Sequence, residues 1–165
     1  MSDSSPARVG IVVGSRSDIA AAEKASAILD ELGVPSEVRV ISAHRAPDLL
    51  ARFAATAEER GIQVFIAVAG LAAHLPGVLA SQTTAPVIGV PMPGGVADGL
   101  DALLAVVQMP KGVPVATVGV GNGENAALLA AEMLALSDPD LRARLIERRE
   151  AQAKAIAEDP ANEGL

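Results

Sequence analysis

Val9-Gly10-Ile11-Val12-Val13-Gly14-Ser15-Arg16-Ser17-Asp18 is a short apolar run that breaks into a hydroxyl-rich turn, and Val38-Arg39-Val40-Ile41-Ser42-Ala43-His44-Arg45 repeats that plan. Each run is β-branched and each turn leads into a helical pattern. Further strand-like runs follow at residues 63–68, 87–90 and 114–120, beside those at 8–13 and 37–41. Between them lie helical patterns at 17–32, 47–60, 72–81, 99–108 and 122–136. Short unbroken apolar strands alternating with helices predict a parallel sheet covered on both faces. Right-handed crossovers then give a three-layer α/β/α sandwich, flavodoxin-like, with strand order 2-1-3-4-5. Residues 138–157 read as an additional C-terminal helix, with Ser137 or Asp138 as its cap and Pro139 in its first turn. Its dense charge suits either a solvated face or packing on a neighbouring subunit. The chain reads as one domain spanning 1–165, with its core at about 8–136, and residues 159–165 read as a frayed end.

Composition removes several classes of function. Half of the residues are apolar, yet only Phe53 and Phe65 are aromatic, so Ala, Val, Leu and Ile must build the core. A net charge of −7 with no basic face argues against nucleic acid. Without Trp or Tyr there is no stacking platform for single strands or a flavin ring. Cysteine is absent, which excludes disulfides, thiolate metal sites and a cysteine nucleophile. Two histidines cannot make a three-histidine zinc site, and no metal is expected. Residues 1–6 lack the basic and apolar regions of a signal peptide, and no apolar run reaches membrane-spanning length; a cytoplasmic protein is expected.

If the first two strands are neighbours, their loops open on one edge of the sheet, where open parallel sheets bind ligands. In the first loop Gly14 permits a tight turn, and the hydroxyls and amides of Ser15 and Ser17 suit a phosphate oxygen. Asp18 can accept hydrogen bonds from sugar hydroxyls. Plain helix capping by Ser17 is the alternative. In the second loop Arg45 can pair with phosphate in bidentate fashion, and His44, between Ser42 and Arg45, can serve as a proton shuttle. Ala46 stands where a capping hydroxyl belongs, so the helix beginning at Pro47 is weakly capped. The third loop, from Ala69 to Gly77, is built of small residues and can enclose a dry pocket; His74 within it is as readily a capping or core residue. Loops at 89–95 and 107–110 fall on the same edge. Gly119–Asn125 lacks the Gly-Lys-Ser/Thr ending of a triphosphate loop.

At these residues the chain resembles the N5-carboxyaminoimidazole ribonucleotide mutases, the catalytic subunits of phosphoribosylaminoimidazole carboxylase in purine biosynthesis. The resemblance rests on Gly14–Asp18, Ser42–Asp48, Ala69–Gly77, Gly89–Pro91, Val107–Val118 and Asn125–Leu134, in one order over nearly the whole chain. It implies a flavodoxin-like subunit assembled as an octamer, with sites near subunit junctions and no metal, biotin or organic cofactor. Ser15, Ser42 and Arg45 would hold the substrate phosphate, Asp18 the ribose, and His44 would be the general acid/base. The loop holding Gly70, Leu71, His74 and Leu75 would enclose the carboxylate or released CO2. A separate ATP-dependent carboxyaminoimidazole ribonucleotide synthase would supply the phosphorylated aminoimidazole ribonucleotide substrate.

One segment departs from the pattern. Val68-Ala69-Gly70-Leu71 stands where the mutases carry Gly-Ala-Gly-Gly, although Ala72-Ala73-His74-Leu75-Pro76 is kept. Related enzymes that carboxylate aminoimidazole ribonucleotide directly with CO2 carry Val-Ala-Gly there but lack the Ala-Ala-His-Leu-Pro. Two reactions therefore stay open, carboxyl transfer within the substrate and direct carboxylation. The intact segments around His44 and His74 speak against a more distant pyridinium-dicarboxylate carboxylase/hydrolase. A flavodoxin-like binding module is disfavoured by the missing aromatic and acidic cluster.

Overall fold

A computed structural model describes residues 6–164; residues 1–5, where the leader reading falls, and Leu165 lie outside it. Five parallel strands form one sheet in the order β2-β1-β3-β4-β5. They are β1 (Val9–Val13), β2 (Ser36–Val40), β3 (Val64–Ala69), β4 (Val87–Pro91) and β5 (Ala116–Thr117). The helices are α1 (Ile19–Glu31), α2 (Pro47–Ala55), α3 (Leu75–Ala80), α4 (Leu100–Val107), α5 (Gly123–Leu134) and α6 (Pro139–Ala157). This is the doubly wound sandwich expected from the alternation.

Every residue of β1, β3 and β4 is buried, because helices cover both faces of the sheet. Val9, Ile11, Val13, Ile66 and Val68 face α1 and α5, which meet through Ala21, Ala22, Ala25, Ala126, Ala130 and Ala131. On the other face, Val12, Phe65 and Ala67 pack with Leu50 and Phe53 of α2, Leu79 of α3 and Val106 of α4. The alanine seam brings α1 and α5 very close. A Cβ added at Gly123 would sit 2.4 Å from the carbonyl oxygen of Ala21. An alanine in a helix normally gains about 0.5–1 kcal/mol over glycine, but overpacking costs about 1–3 kcal/mol. Gly123→Ala is therefore expected to lower the urea midpoint, against ordinary helix propensity.

Several boundaries differ from the sequence reading. The fifth strand is two residues rather than seven; beyond it the amides of Val118 and Gly121 donate to the carbonyls of Gly89 (3.2 Å) and Pro91 (2.8 Å). Pro114 cannot donate to that ladder. The pattern at 47–60 is helical only to Ala55 and closes in turns, with Gly61 at φ 86°. Residues 16–18 form a 3₁₀ turn ahead of α1. Within the stretch read as a frayed end, residues 160–162 make a 3₁₀ turn capped by Asp159, and Asn162 Nδ2 donates to the carbonyl of Ile156 at 2.7 Å.

Asp138 caps α6, accepting the Leu141 amide at 3.0 Å, and also accepts Arg8 Nη1 at 2.7 Å. Leu141 and Leu145 bury against the first core, and Arg144 Nε donates to the carbonyl of Leu32 at 2.9 Å. Through Leu141 and Leu145, α6 thus docks on the core of this chain, while Ile146 and Ile156 are exposed. The Leu141 amide and then the Arg8 guanidinium hold the Asp138 carboxyl below the usual aspartate value of 3.8. A carboxyl whose folded pKa is depressed stabilises above 3.8 and loses that contribution as pH falls through the folded value. Asp138→Asn is expected to flatten the acid limb of a stability–pH curve below about pH 4 while leaving the neutral fold intact, as thermal melts will show.

The strand register places the site. Val13 pairs with both Val40 and Val68, so β1, β2 and β3 end level. Gly14 donates to the carbonyl of Val68 (3.1 Å) and Ile41 to that of Val13 (2.9 Å), and all three following loops leave the sheet together.

Candidate active site

A cleft of about 800 Å³ lies beyond these strand ends. It is lined by Gly14, Ser15, Ser17 and Asp18 from the first loop, and by Ser42, Ala43, His44 and Arg45 from the second. Ala69, Gly70, Leu71, Ala72 and Leu75 come from the third. The sheet order therefore assembles what the sequence separated, with one exception: His74 is not part of the lining.

In the first loop Ser15 is extended, and residues 16–18 turn back so that Ser15 Oγ meets Ser17 Oγ at 2.5 Å. Ser17 Oγ donates to Asp18 Oδ1 at 3.1 Å, and Ser15 Oγ approaches Asp18 Oδ2 at 3.4 Å. Neither serine caps α1, whose cap residue Asp18 makes no side-chain bond to the helix. The two hydroxyls and the carboxylate instead form one polar cluster facing the cleft. This arrangement rules out the capping alternative for Ser17.

The second loop is a tight turn, closed by the Ala46 amide on the Ser42 carbonyl (2.9 Å) and the Arg45 amide on Ser42 Oγ (3.2 Å). Arg45 Nε also donates to Ser42 Oγ (3.2 Å), and Nη2 donates to the carbonyl of Gly14 (3.1 Å). The guanidinium thus bridges the loops after β1 and β2 with donors left over for an anion. α2 begins at Pro47 with no side-chain cap at Ala46, as its sequence predicts.

His44 Nε2 lies 2.9 Å from His74 Nδ1, the rings crossing at 84°. Residues 72–74 are not helical, although the pattern at 72–81 includes them. Ala73 and His74 donate to the carbonyls of Leu71 and Ala72, both at 2.8 Å, and α3 starts only at Leu75, with Pro76 behind it. Leu71 has φ 53°, a left-handed backbone, and its side chain is 63% exposed at the cleft. A non-glycine residue pays about 1 kcal/mol or more there, which explains why glycine fits this position in the pattern the segment resembles.

The loop at 89–95, which the sequence places on this edge without giving it a site residue, completes the lining through Met92, Pro93 and Gly94. The Met92 amide donates to the Ala69 carbonyl at 2.9 Å, and a Cβ on Gly70 would meet Met92 Cβ at 3.2 Å. The Pro/Gly-rich composition of 91–95 on the same sheet edge was the available signal. The Gly-rich segment at 119–125 does not reach the cleft; Asn122 caps α5 by accepting the Asn125 amide at 2.9 Å. Among the described residues no cluster of three or more metal-ligating side chains occurs, and no helix is long and apolar enough to cross a membrane.

The cleft brings together a guanidinium, a carboxylate beside hydroxyls, and an imidazole near a loop of small residues. Residues 8–155 match the AIR carboxylase family. The chain belongs to that family. It is 57% identical over 146 residues to the N5-carboxyaminoimidazole ribonucleotide mutase of Methanocaldococcus jannaschii, covering 88% of this chain and 90% of that one. To the enzyme of that name from Escherichia coli K12 it is 50% identical over 161 residues, covering 96% and 95%. The crystal structure of Treponema denticola PurE superposes with a TM-score of 0.87 at 28% identity, covering 95% of this chain and 98% of that one. Family membership and fold agree, and the sheet order is the one the sequence predicted.

Proposed function

We propose that this chain is an N5-carboxyaminoimidazole ribonucleotide mutase, moving a carboxyl group from the exocyclic nitrogen to C4 of the aminoimidazole ring in purine biosynthesis. The observation that carries this reading is the meeting of Asp18, His44 and Arg45 in one cleft, in a chain 50–57% identical to two proteins of that name. Ser15, Ser17, Ser42 and Arg45 bind the substrate phosphate, which carries about −1.5 to −2 charge. Asp18 binds the ribose hydroxyls. His44 gives a proton to the exocyclic nitrogen as its bond to the carboxyl carbon breaks. The freed CO2 stays against Gly70, Leu71 and Leu75 while the enamine-like C4 attacks it. The proton displaced from C4 returns to His44, so no net proton or co-reactant is consumed.

Holding CO2 beside C4 supplies about 7–11 kcal/mol by proximity, and a positioned acid/base about 10²–10⁴-fold. The setting proposed is cytoplasmic and homo-oligomeric, an octamer by resemblance, with a separate synthase supplying the carbamate and no resident cofactor. Direct carboxylation is the second reading, favoured by Val68-Ala69-Gly70-Leu71 in the CO2-facing loop. The deciding experiment offers the pure protein either the N-carboxylated nucleotide at low bicarbonate, or aminoimidazole ribonucleotide with bicarbonate. Ultraviolet absorbance of the C4-carboxylated product should rise in the first mixture only; a rise in the second alone would replace the mutase reading with the carboxylase one.

A further inference from the structure

We propose that Leu71 is the residue that keeps freed CO2 from leaving the cleft, its side chain covering the carboxyl end of the bound nucleotide against water. The proposal rests on the mutase reading above and names the retention determinant within that site. Two departures from ordinary structure meet at this one residue. Its backbone is left-handed, at φ 53°, and its side chain is 63% exposed. Among the described residues only Ala97 and Asp98 share that conformation without being glycine, and neither lines the cleft. Leu71 is also the one large apolar side chain of the lining that is left exposed; Leu75 is buried and Met92 half-buried.

The chain on either side holds this conformation. Before Leu71, the Met92 amide donates to the Ala69 carbonyl at 2.9 Å, and Gly70 approaches Met92 so closely that an added Cβ would sit 3.2 Å from Met92 Cβ. After it, the Ala73 amide closes on the Leu71 carbonyl at 2.8 Å, and Ala73 itself is buried. A bulky residue persists in a left-handed turn only where its surroundings over-determine it, and such outliers gather at ligand clamps. At this exposure the side chain gains little from packing in the free protein, so its burial waits on what enters the cleft. Sheet order decides what that is. The loops after β2 and β1 bring the hydroxyls, the guanidinium and the carboxylate, whereas those after β3 and β4 add no charged or hydroxyl side chain to the lining. A phosphate belongs to the first half and CO2, uncharged and apolar, to the second. Once its bond to nitrogen breaks, CO2 either meets C4 or diffuses out; a leucine side chain over it slows the second path and leaves the first open.

The test follows the unlabelled N-carboxylated nucleotide into product in ¹³C-bicarbonate buffer with added carbonic anhydrase. Mass spectrometry reads the fraction of C4-carboxylated product carrying ¹³C, corrected for label in unreacted substrate. The full-length wild type is compared with Leu71→Ala, which keeps a Cβ, and Leu71→Gly, which does not. The wild type should give a low labelled fraction, because the carboxyl group moves without leaving the cleft. Both variants should raise that fraction about tenfold, the lower end of what covering a leucine side chain contributes. KM should move less, since the phosphate sits in the other half of the cleft. Glycine adopts φ 53° without strain, so Leu71→Gly should fold as the wild type does, as its melting temperature will show. Labelling as low in both variants as in the wild type would overturn the proposal. A rise confined to Leu71→Gly would also overturn it, by making backbone freedom the cause. So would a rise accompanied by broken assembly in sedimentation, which would make Leu71 a subunit contact. Complete labelling by the wild type would sink the mutase reading and this proposal with it, whereas low labelling in all three proteins sinks the proposal alone.

Discussion

His44→Asn is expected to lower formation of the C4-carboxylated product by about 10²–10⁴-fold, the usual contribution of a positioned general acid/base. Asparagine keeps a polar side chain of similar reach but cannot take up and return a proton. His44 is exposed in a turn held by backbone and Ser42 contacts, so thermal stability should stay within about 0.5 kcal/mol, as for surface changes away from packed features. The phosphate clamp proposed above uses other residues, so the dissociation constant for aminoimidazole ribonucleotide, measured by calorimetry, should move only a few-fold. A variant that binds, folds and still turns over near the wild-type rate would remove His44 from the chemistry.

Arg45→Ala should act on the other kinetic constant. The guanidinium already donates to Gly14 and Ser42, and the proposed phosphate would take its remaining donors. A hydrogen bond to a charged group is worth about 1.5–3 kcal/mol, so KM should rise about 10–150-fold. Arg45→Lys keeps the charge but cannot bridge both loops and grip phosphate in a planar fork. Its KM should fall between the other two. Steady-state kinetics on the three proteins check this ordering; an unchanged KM in Arg45→Ala would place the phosphate elsewhere in the cleft.

The fold and the site were legible in the sequence to different depths. β1, β3 and β4 are buried along their whole length, and a strand covered on both faces must be apolar throughout. Their positions were plain for that reason. β5 was overextended, because its apolar residues at 113–120 serve the edge of the core without sustaining a ladder. The helix placed at 72–81 failed at its start, since Leu71 takes a left-handed turn and Pro76 sits in the first turn of α3. Composition there, small and alanine-rich, reads as helix until those constraints are known.

Taken alone, the sequence determined the alternation of strands and helices, pointed to a flavodoxin-like sheet order, and showed which loops carry hydroxyls, carboxylate, guanidinium and imidazole. These are properties of local pattern and of short connections. Only the tertiary structure decided that Ser17 faces the cleft rather than capping a helix, that Met92 to Gly94 close one wall, and that His74 meets His44 instead of lining the cavity. Each depends on where two segments remote in sequence end relative to each other. A register of level strand ends sets that distance, and side-chain pattern does not encode it.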